Sequence, residues 1–163
     1  MPKVYLSLGS NIDRERHLWA ARQALADAYG ELQLSSVYES EAVGFSGAHF
    51  LNLVVGMHTE LPVGVLAAQL RAIEEANGRL RDGPKFSSRT LDIDILTYGD
   101  ACGVIDGISL PRDEVLKNAF VLQPLAEIAG DERHPETGRR YAEHWAEYDK
   151  TGQQLWTIPF SWQ

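Results

Sequence analysis

Two aspartates one residue apart, Asp92 and Asp94, carry the clearest chemical signal in the sequence. From Thr90 to Thr97 polar and apolar residues alternate. Leu91, Ile93 and Ile95 therefore project to one face of an extended strand, and Asp92 and Asp94 to the other. The rise of a strand sets the two carboxylates roughly 6.5–7 Å apart at the backbone. Like charges that close repel unless a positive group lies between them. A hard divalent cation, which prefers carboxylate oxygens, is one solution. The other is a half-exposed strand whose wet face carries two solvated aspartates. Arg89 precedes the strand, and a guanidinium beside a carboxylate pair suggests phosphate as the third party.

The stretch leading into this strand, Gly78 to Arg89, is punctuated by glycine and proline and holds four positive residues against one negative, Asp82. A basic run in an acidic chain is a local reversal of sign. It is either a solvated loop or, placed directly before an aspartate pair, a cradle for a polyphosphate and its metal. Its glycine and serine content predicts a loop poorly ordered without ligand, of the kind that closes as a lid. Asn52 is the one polar residue of Phe50–Met57, which otherwise reads as an apolar strand. A buried amide needs partners, so Asn52 either ties down a neighbouring loop or reads the polar edge of a ligand. His49, His58 and His134 are isolated and read as structural or exposed.

These groups need a scaffold. The chain has 163 residues, 44% hydrophobic and 23% charged, which predicts one globular domain spanning 1–163. A net charge of −8 argues against non-specific binding to nucleic acid or membrane surfaces. The single cysteine, Cys102, fits a reducing cytoplasm. No stretch approaches the roughly 18 apolar residues of a membrane span, and the start lacks the apolar run of a signal peptide. A first strand is expected at Val4–Leu8, followed by a helix over 14–29 capped by Asp13. A second strand is expected over 32–38, a third at Phe50–Met57, and a helix from Pro62 to Gly78. After the aspartate strand come a hairpin between Val104 and Leu110, a turn from Pro111 to Lys117, and a short helix near 120–129 started or interrupted by Pro124. The tail, with Trp145, Trp156 and Trp162, covers a core edge or makes an oligomer contact. The order strand–helix–strand–strand–helix–strand is the split βαβ pattern. It predicts an α+β, ferredoxin-like antiparallel sheet with helices on one face, the aspartate strand central and a C-terminal extension.

With those residues in place, the chain resembles the 6-hydroxymethyl-7,8-dihydropterin pyrophosphokinase family over roughly residues 3 to 138. The hallmark is Arg89-Thr90-Leu91-Asp92-Ile93-Asp94-Ile95. It is supported by Leu8-Gly9-Ser10-Asn11, Phe50-Leu51-Asn52, Ile73-Glu74 with Gly78-Arg79-Leu80-Arg81, and Phe120 through Ile128. The resemblance implies an ATP-dependent pyrophosphokinase of folate biosynthesis. Such an enzyme moves pyrophosphate from ATP to the hydroxymethyl group of a reduced pterin and leaves AMP. It implies Asp92 and Asp94 as ligands of two Mg2+ ions, with Asp92 also orienting or deprotonating the pterin hydroxyl. Arg79 and Arg89 match the family's catalytic arginines. Asn52, Phe120, Phe86, Ser40, Val43 and Phe50 fall on the pterin side; Arg71, Arg81, Arg89, Ile95, Ser109 and Arg112 fall on the ATP side. The expected partners are ATP and a reduced pterin, and the expected state is a monomer.

The chain departs from the family pattern in places. Phe86-Ser87-Ser88 stands where relatives commonly carry Trp-Gly-Pro, Phe50 replaces a tyrosine, Arg112 a histidine, and Asn118 an arginine. After the second strand the usual Thr-x-Pro appears only as Ser40-Glu41-Ala42. These changes leave two other readings open: a catalytically weakened paralogue that binds pterin or nucleotide, or a related enzyme acting on a modified pterin. A different metal-dependent nucleotidyl or phosphoryl transferase would be distinguished by its leaving group.

Overall fold

The computed structural model describes residues 1–41, 49–78 and 90–162. Strand β1 (Lys3–Ser10) alternates between two apolar layers and forms the spine of the sheet. Helix α1 (Arg14–Tyr29) follows, burying Leu18, Ala21 and Leu25, and ends at Gly30, whose φ of 84° a side chain would resist. Asp13 does not cap it. The residue adopts a left-handed conformation, and its carboxylate takes a hydrogen bond from Arg16 instead.

The second strand divides in two, β2 (Gln33–Leu34) and β3 (Val37–Ser40), both antiparallel to β4 (Phe50–His58). The cause is local. The hydroxyl of Ser35 accepts the Val54 amide at 2.9 Å, so a side chain stands where a ladder carbonyl would. Helix α2 (Val63–Ala76) buries Leu66, Leu70 and Glu74. Pro62 offers no side-chain cap, and the amide of Gly64 donates to Asp106 from the turn between β6 (Gly103–Ile105) and β7 (Ile108–Leu110). Strand β5 (Asp92–Tyr98) carries the aspartate pair.

Sheet order is β5-β1-β4-β3-β8, with β2 also on β4. This is the ferredoxin-like order with one strand added. It corrects the expected central position of β5, which lies at the edge. One flank of β1 is occupied by β4, so the crossover through α2 delivers β5 to the flank that remains free. The outward edge of β5 is not left bare. The Ile93 amide donates to Glu74 at 2.7 Å, and the Leu96 carbonyl accepts the Arg112 amide at 2.8 Å.

The helices also occupy both faces rather than one. Helices α1 and α2 pack on Leu6, Leu8, Leu53, Val55 and Ile93. The opposite face, built on Tyr5, Val54 and Leu96, is covered by α3 (Glu114–Lys117), α4 (Ala119–Ala129) and α5 (Tyr141–Glu147). The expected turn before Lys117 thus contains α3. Helix α4 runs unbroken through Pro124, which cannot donate to the Phe120 carbonyl but packs, buried, on the sheet. The tail adds β8 (Leu155–Ile158), antiparallel to β3. Beyond it the Trp19 indole donates to the Ser161 carbonyl at 2.7 Å, and Phe160 and Trp162 pack on the first core. Of the tail tryptophans, Trp145 and Trp162 pack partly buried on the two cores, whereas Trp156 is exposed and donates its indole N–H to Glu39 at 2.9 Å.

Candidate functional site

The register of β5, β1 and β4 assembles the site. Asp92 lies opposite Gly9, and Gly9 opposite Asn52; Asp94 lies opposite Ser7. Directly opposed residues share a face. The aspartate pair and Asn52 therefore stand on the same side of the sheet, separated only by a glycine. A Cβ at Gly9 would sit 3.0 Å from the Asn52 Oδ1, so only glycine leaves the amide its place. The next pairings extend this face to Tyr38 and Ser40 on β3 and to Phe50.

Asn52 is buried and donates to the Ser40 hydroxyl at 2.7 Å. Of its two expected roles the tie to a loop stem is present, since Ser40 ends β3, and its Oδ1 remains turned toward Gly9. Phe120, in the first turn of α4, and Ser40 line one cavity of about 320 Å³. Phe50 is half-buried beside Gly9. Asp92, Asp94, Arg71, Ile95 and Arg112 line a second, more polar cavity of about 300 Å³ between α2 and the edge of β5. Ser109 does not reach it; it is exposed on β7, and its neighbour Ile108 forms that wall. Val43, Arg79, Arg81, Phe86 and Arg89 lie outside the described residues, as does the expected lid over 79–89.

Burial and then the charge of Asp92 push the Asp94 carboxyl up to about 8, and a hydrogen bond to Asp92 reinforces this. Arg112, 3.5 Å from the Asp94 Oδ1, works in the other direction but shares its guanidinium with Glu114. Two carboxyls that hold a proton between them in a cleft are a donor set a hard cation would relieve. No cluster of three or more His, Cys, Asp or Glu suited to a metal occurs among the described residues. The aspartate pair supplies oxygen donors of the kind a hard cation takes.

Three residues hold the site's elements in roles that the sequence reading does not assign to them. Glu74 falls on the buried stripe of α2 and holds β5 through the Ile93 amide. A carboxylate at a stripe position was the available signal. Glu127 of α4 accepts the Tyr38 hydroxyl at 2.6 Å and both the amide and hydroxyl of Ser36 at 2.9 Å, locking α4 to β3. Gln153 reaches from the tail to the start of α4. Nothing in its local sequence marks it.

Fold and site together define a small α+β domain with a paired-carboxylate cleft on a ferredoxin-like sheet. The family model for 7,8-dihydro-6-hydroxymethylpterin-pyrophosphokinase matches residues 5–130. A 2-amino-4-hydroxy-6-hydroxymethyldihydropteridine pyrophosphokinase of Pseudomonas aeruginosa is 37% identical over 149 residues, covering 86% of this chain and 88% of the relative. That of Methylorubrum extorquens is 40% identical over 136 residues, covering 80% and 85%. The chain belongs to the 7,8-dihydro-6-hydroxymethylpterin-pyrophosphokinase family. Among solved structures, a Plasmodium falciparum HPPK-DHPS with pterin and p-hydroxybenzoate superposes with a TM-score of 0.70 at 14% identity, over 90% of this chain and 43% of that one. At that identity the likeness concerns the fold.

Proposed function

We infer that the chain is an ATP-dependent pyrophosphokinase. It transfers the pyrophosphate of ATP to the hydroxymethyl group of 6-hydroxymethyl-7,8-dihydropterin, forming AMP and the pterin diphosphate, in folate biosynthesis. The observation that carries this, beside family membership, is the shared sheet face of Asp92, Asp94 and Asn52 across Gly9. One substrate is then held by the amide and the other by the carboxylate pair, a strand's width apart.

On this reading the pterin edge meets Asn52, and its ring lies between Phe50 and Phe120 beside Ser40. Val43 and Phe86 belong to the same side. Asp92 and Asp94 would hold Mg2+ on the triphosphate, and the metal supplies charge neutralisation at the phosphoryl group in transfer. The hydroxyl oxygen of the pterin attacks the β-phosphorus, the bridge to the α-phosphate breaks, and AMP departs. Asp92 orients that hydroxyl or takes its proton. Arg112, with its charge already at the carboxylate pair, turns to the phosphates together with Arg71, Arg79, Arg81 and Arg89; Ile95 attends the adenosine, with Ile108 forming the wall in place of the expected Ser109. Residues 1–163 act as one domain and as a monomer. A cytoplasmic setting is consistent with the single cysteine. No helix among the described residues is long and apolar enough to cross a membrane.

The test is AMP release from MgATP with and without the pterin, alongside Asp94→Ala. Pterin-dependent AMP that falls by at least about 100-fold in the variant supports the assignment. AMP formation that survives Asp94→Ala removes the metal from this strand. Binding of pterin without AMP formation would favour the weakened paralogue.

A further inference from the structure

The cavity beside Phe120 has a wall that the substrate assignment does not use. Ser40, Glu41 and Phe120 form one side; the other is the tail segment 152–155, contributing Gly152, Gln153, Gln154 and Leu155. This segment lies beyond residue 130, where the family match ends. It is fixed at both ends of the cavity. At one end Leu155 pairs with Ser40 in the β3–β8 ladder, beside the hydroxyl that receives the Asn52 amide. At the other, Gln153 grips the start of α4. Its Oε1 accepts the Ala119 amide at 2.8 Å, and its Nε2 donates to the Lys117 carbonyl at 3.1 Å.

The grip has a physical reason. Helix α4 begins at Ala119, and Asn118 before it makes no side-chain cap. An uncapped first turn leaves amides to be satisfied from elsewhere. Gln153 supplies the acceptor across the tertiary structure and simultaneously holds the carbonyl that precedes the cap. Phe120 is the next residue, so the position of its ring follows from where that turn is held. The Tyr148 hydroxyl donates to the same Lys117 carbonyl at 2.6 Å and steadies the tail's approach.

We propose that the tail segment 152–155 is a wall of the pterin pocket and that Gln153 is a positioning residue, setting Phe120 against the Ser40–Asn52 pair. This rests on the pterin reading above. It assigns to a part of the chain outside the matched region a share in how wide a ring system the pocket accepts.

The test is pterin binding, followed by ligand fluorescence with Mg2+ and a non-hydrolysable ATP analogue, and the separate KM values for pterin and ATP. Gln153→Ala is expected to raise the pterin Kd and KM on the order of tenfold while the KM for ATP stays within about twofold. Gln153→Glu keeps the acceptor for the Ala119 amide and is expected to recover part of that loss. Gly152→Leu is the second variant. A Cβ at Gly152, which lines the cavity, meets nothing within 4 Å, so the added side chain has open space to enter, and it too should weaken pterin alone. If both Gln153→Ala and Gly152→Leu bind pterin as the parent does, the tail is not part of the pocket. Equal losses for pterin and ATP would make Gln153 a general brace and overturn the proposal. If Gln153→Ala does not fold, Gly152→Leu decides. A parent protein that binds no pterin would overturn the substrate assignment itself, and this proposal with it.

Discussion

Asp94 sits where burial and a neighbouring charge act together, and its protonation follows from both. Its carboxyl titrates at about 8 in the folded chain against 3.8 ordinarily. Between those values the native state holds a proton that the unfolded state has released. The metal-free protein is therefore expected to lose stability as pH rises from about 4 to about 8 and to level off above. Thermal unfolding across that range checks it. Asp94→Asn should flatten the slope, and MgATP should recover stability at the alkaline end; a slope unchanged by the substitution would place its origin elsewhere. Gly9 makes a second, steric case. Gly9→Ala forces a Cβ to 3.0 Å from the Asn52 Oδ1, so the amide must shift. The expected result is a pterin KM raised about tenfold, with ATP binding little changed, read from steady-state kinetics.

At the scale of elements, two carboxylates outside the chemistry set the distances between the parts that bear it. Glu74 fixes the edge strand to α2, and Glu127 fixes α4 to β3 through three hydrogen bonds. Removing Glu127 leaves a Tyr38 hydroxyl and a Ser36 amide to find new partners. Glu127→Ala should cost about 1–3 kcal/mol in urea unfolding. Because Phe120 rides on the same helix, pterin affinity should fall as well. A loss of stability with unaltered pterin binding would separate the helix anchor from the pocket.

At the scale of the molecule, one sheet serves two cores. Leu53 is fully buried under α1 and α2, and Leu122, on α4, belongs to the core against the other face. Since both cores share β1 and β4, the chain should unfold in one transition whichever is weakened. Leu53→Ala and Leu122→Ala are each expected to lower stability by about 2–5 kcal/mol, with tryptophan fluorescence and far-UV circular dichroism changing together. Separate midpoints for the two signals would mean that the outer helical layer folds on its own. The tail belongs to the same unit, since β8 extends the sheet and Phe160 and Trp162 close the first core.

Much of this was legible in the residue order because the governing interactions are local. Period-two alternation alone marks β5 and separates Asp92 and Asp94 from Leu91, Ile93 and Ile95; helical spacing alone marks α1 and α2. Asn52 stands out because an apolar strand has no other use for an amide, and the hallmark around Asp92 is contiguous. What stayed hidden depends on groups far apart in sequence. Whether β5 is central or at the edge is decided by which flank of β1 is already occupied. Whether the second strand is continuous is decided by the Ser35 hydroxyl meeting the Val54 amide. A glutamine in a polar tail carries no local mark of the helix start it will cap. Sequence determined which side chains could do chemistry and which elements bear them. The tertiary structure alone determined that Gly9 brings Asn52 beside the aspartates and that the tail closes the cavity at Phe120, because strand register and long-range hydrogen bonds exist only once the sheet has formed.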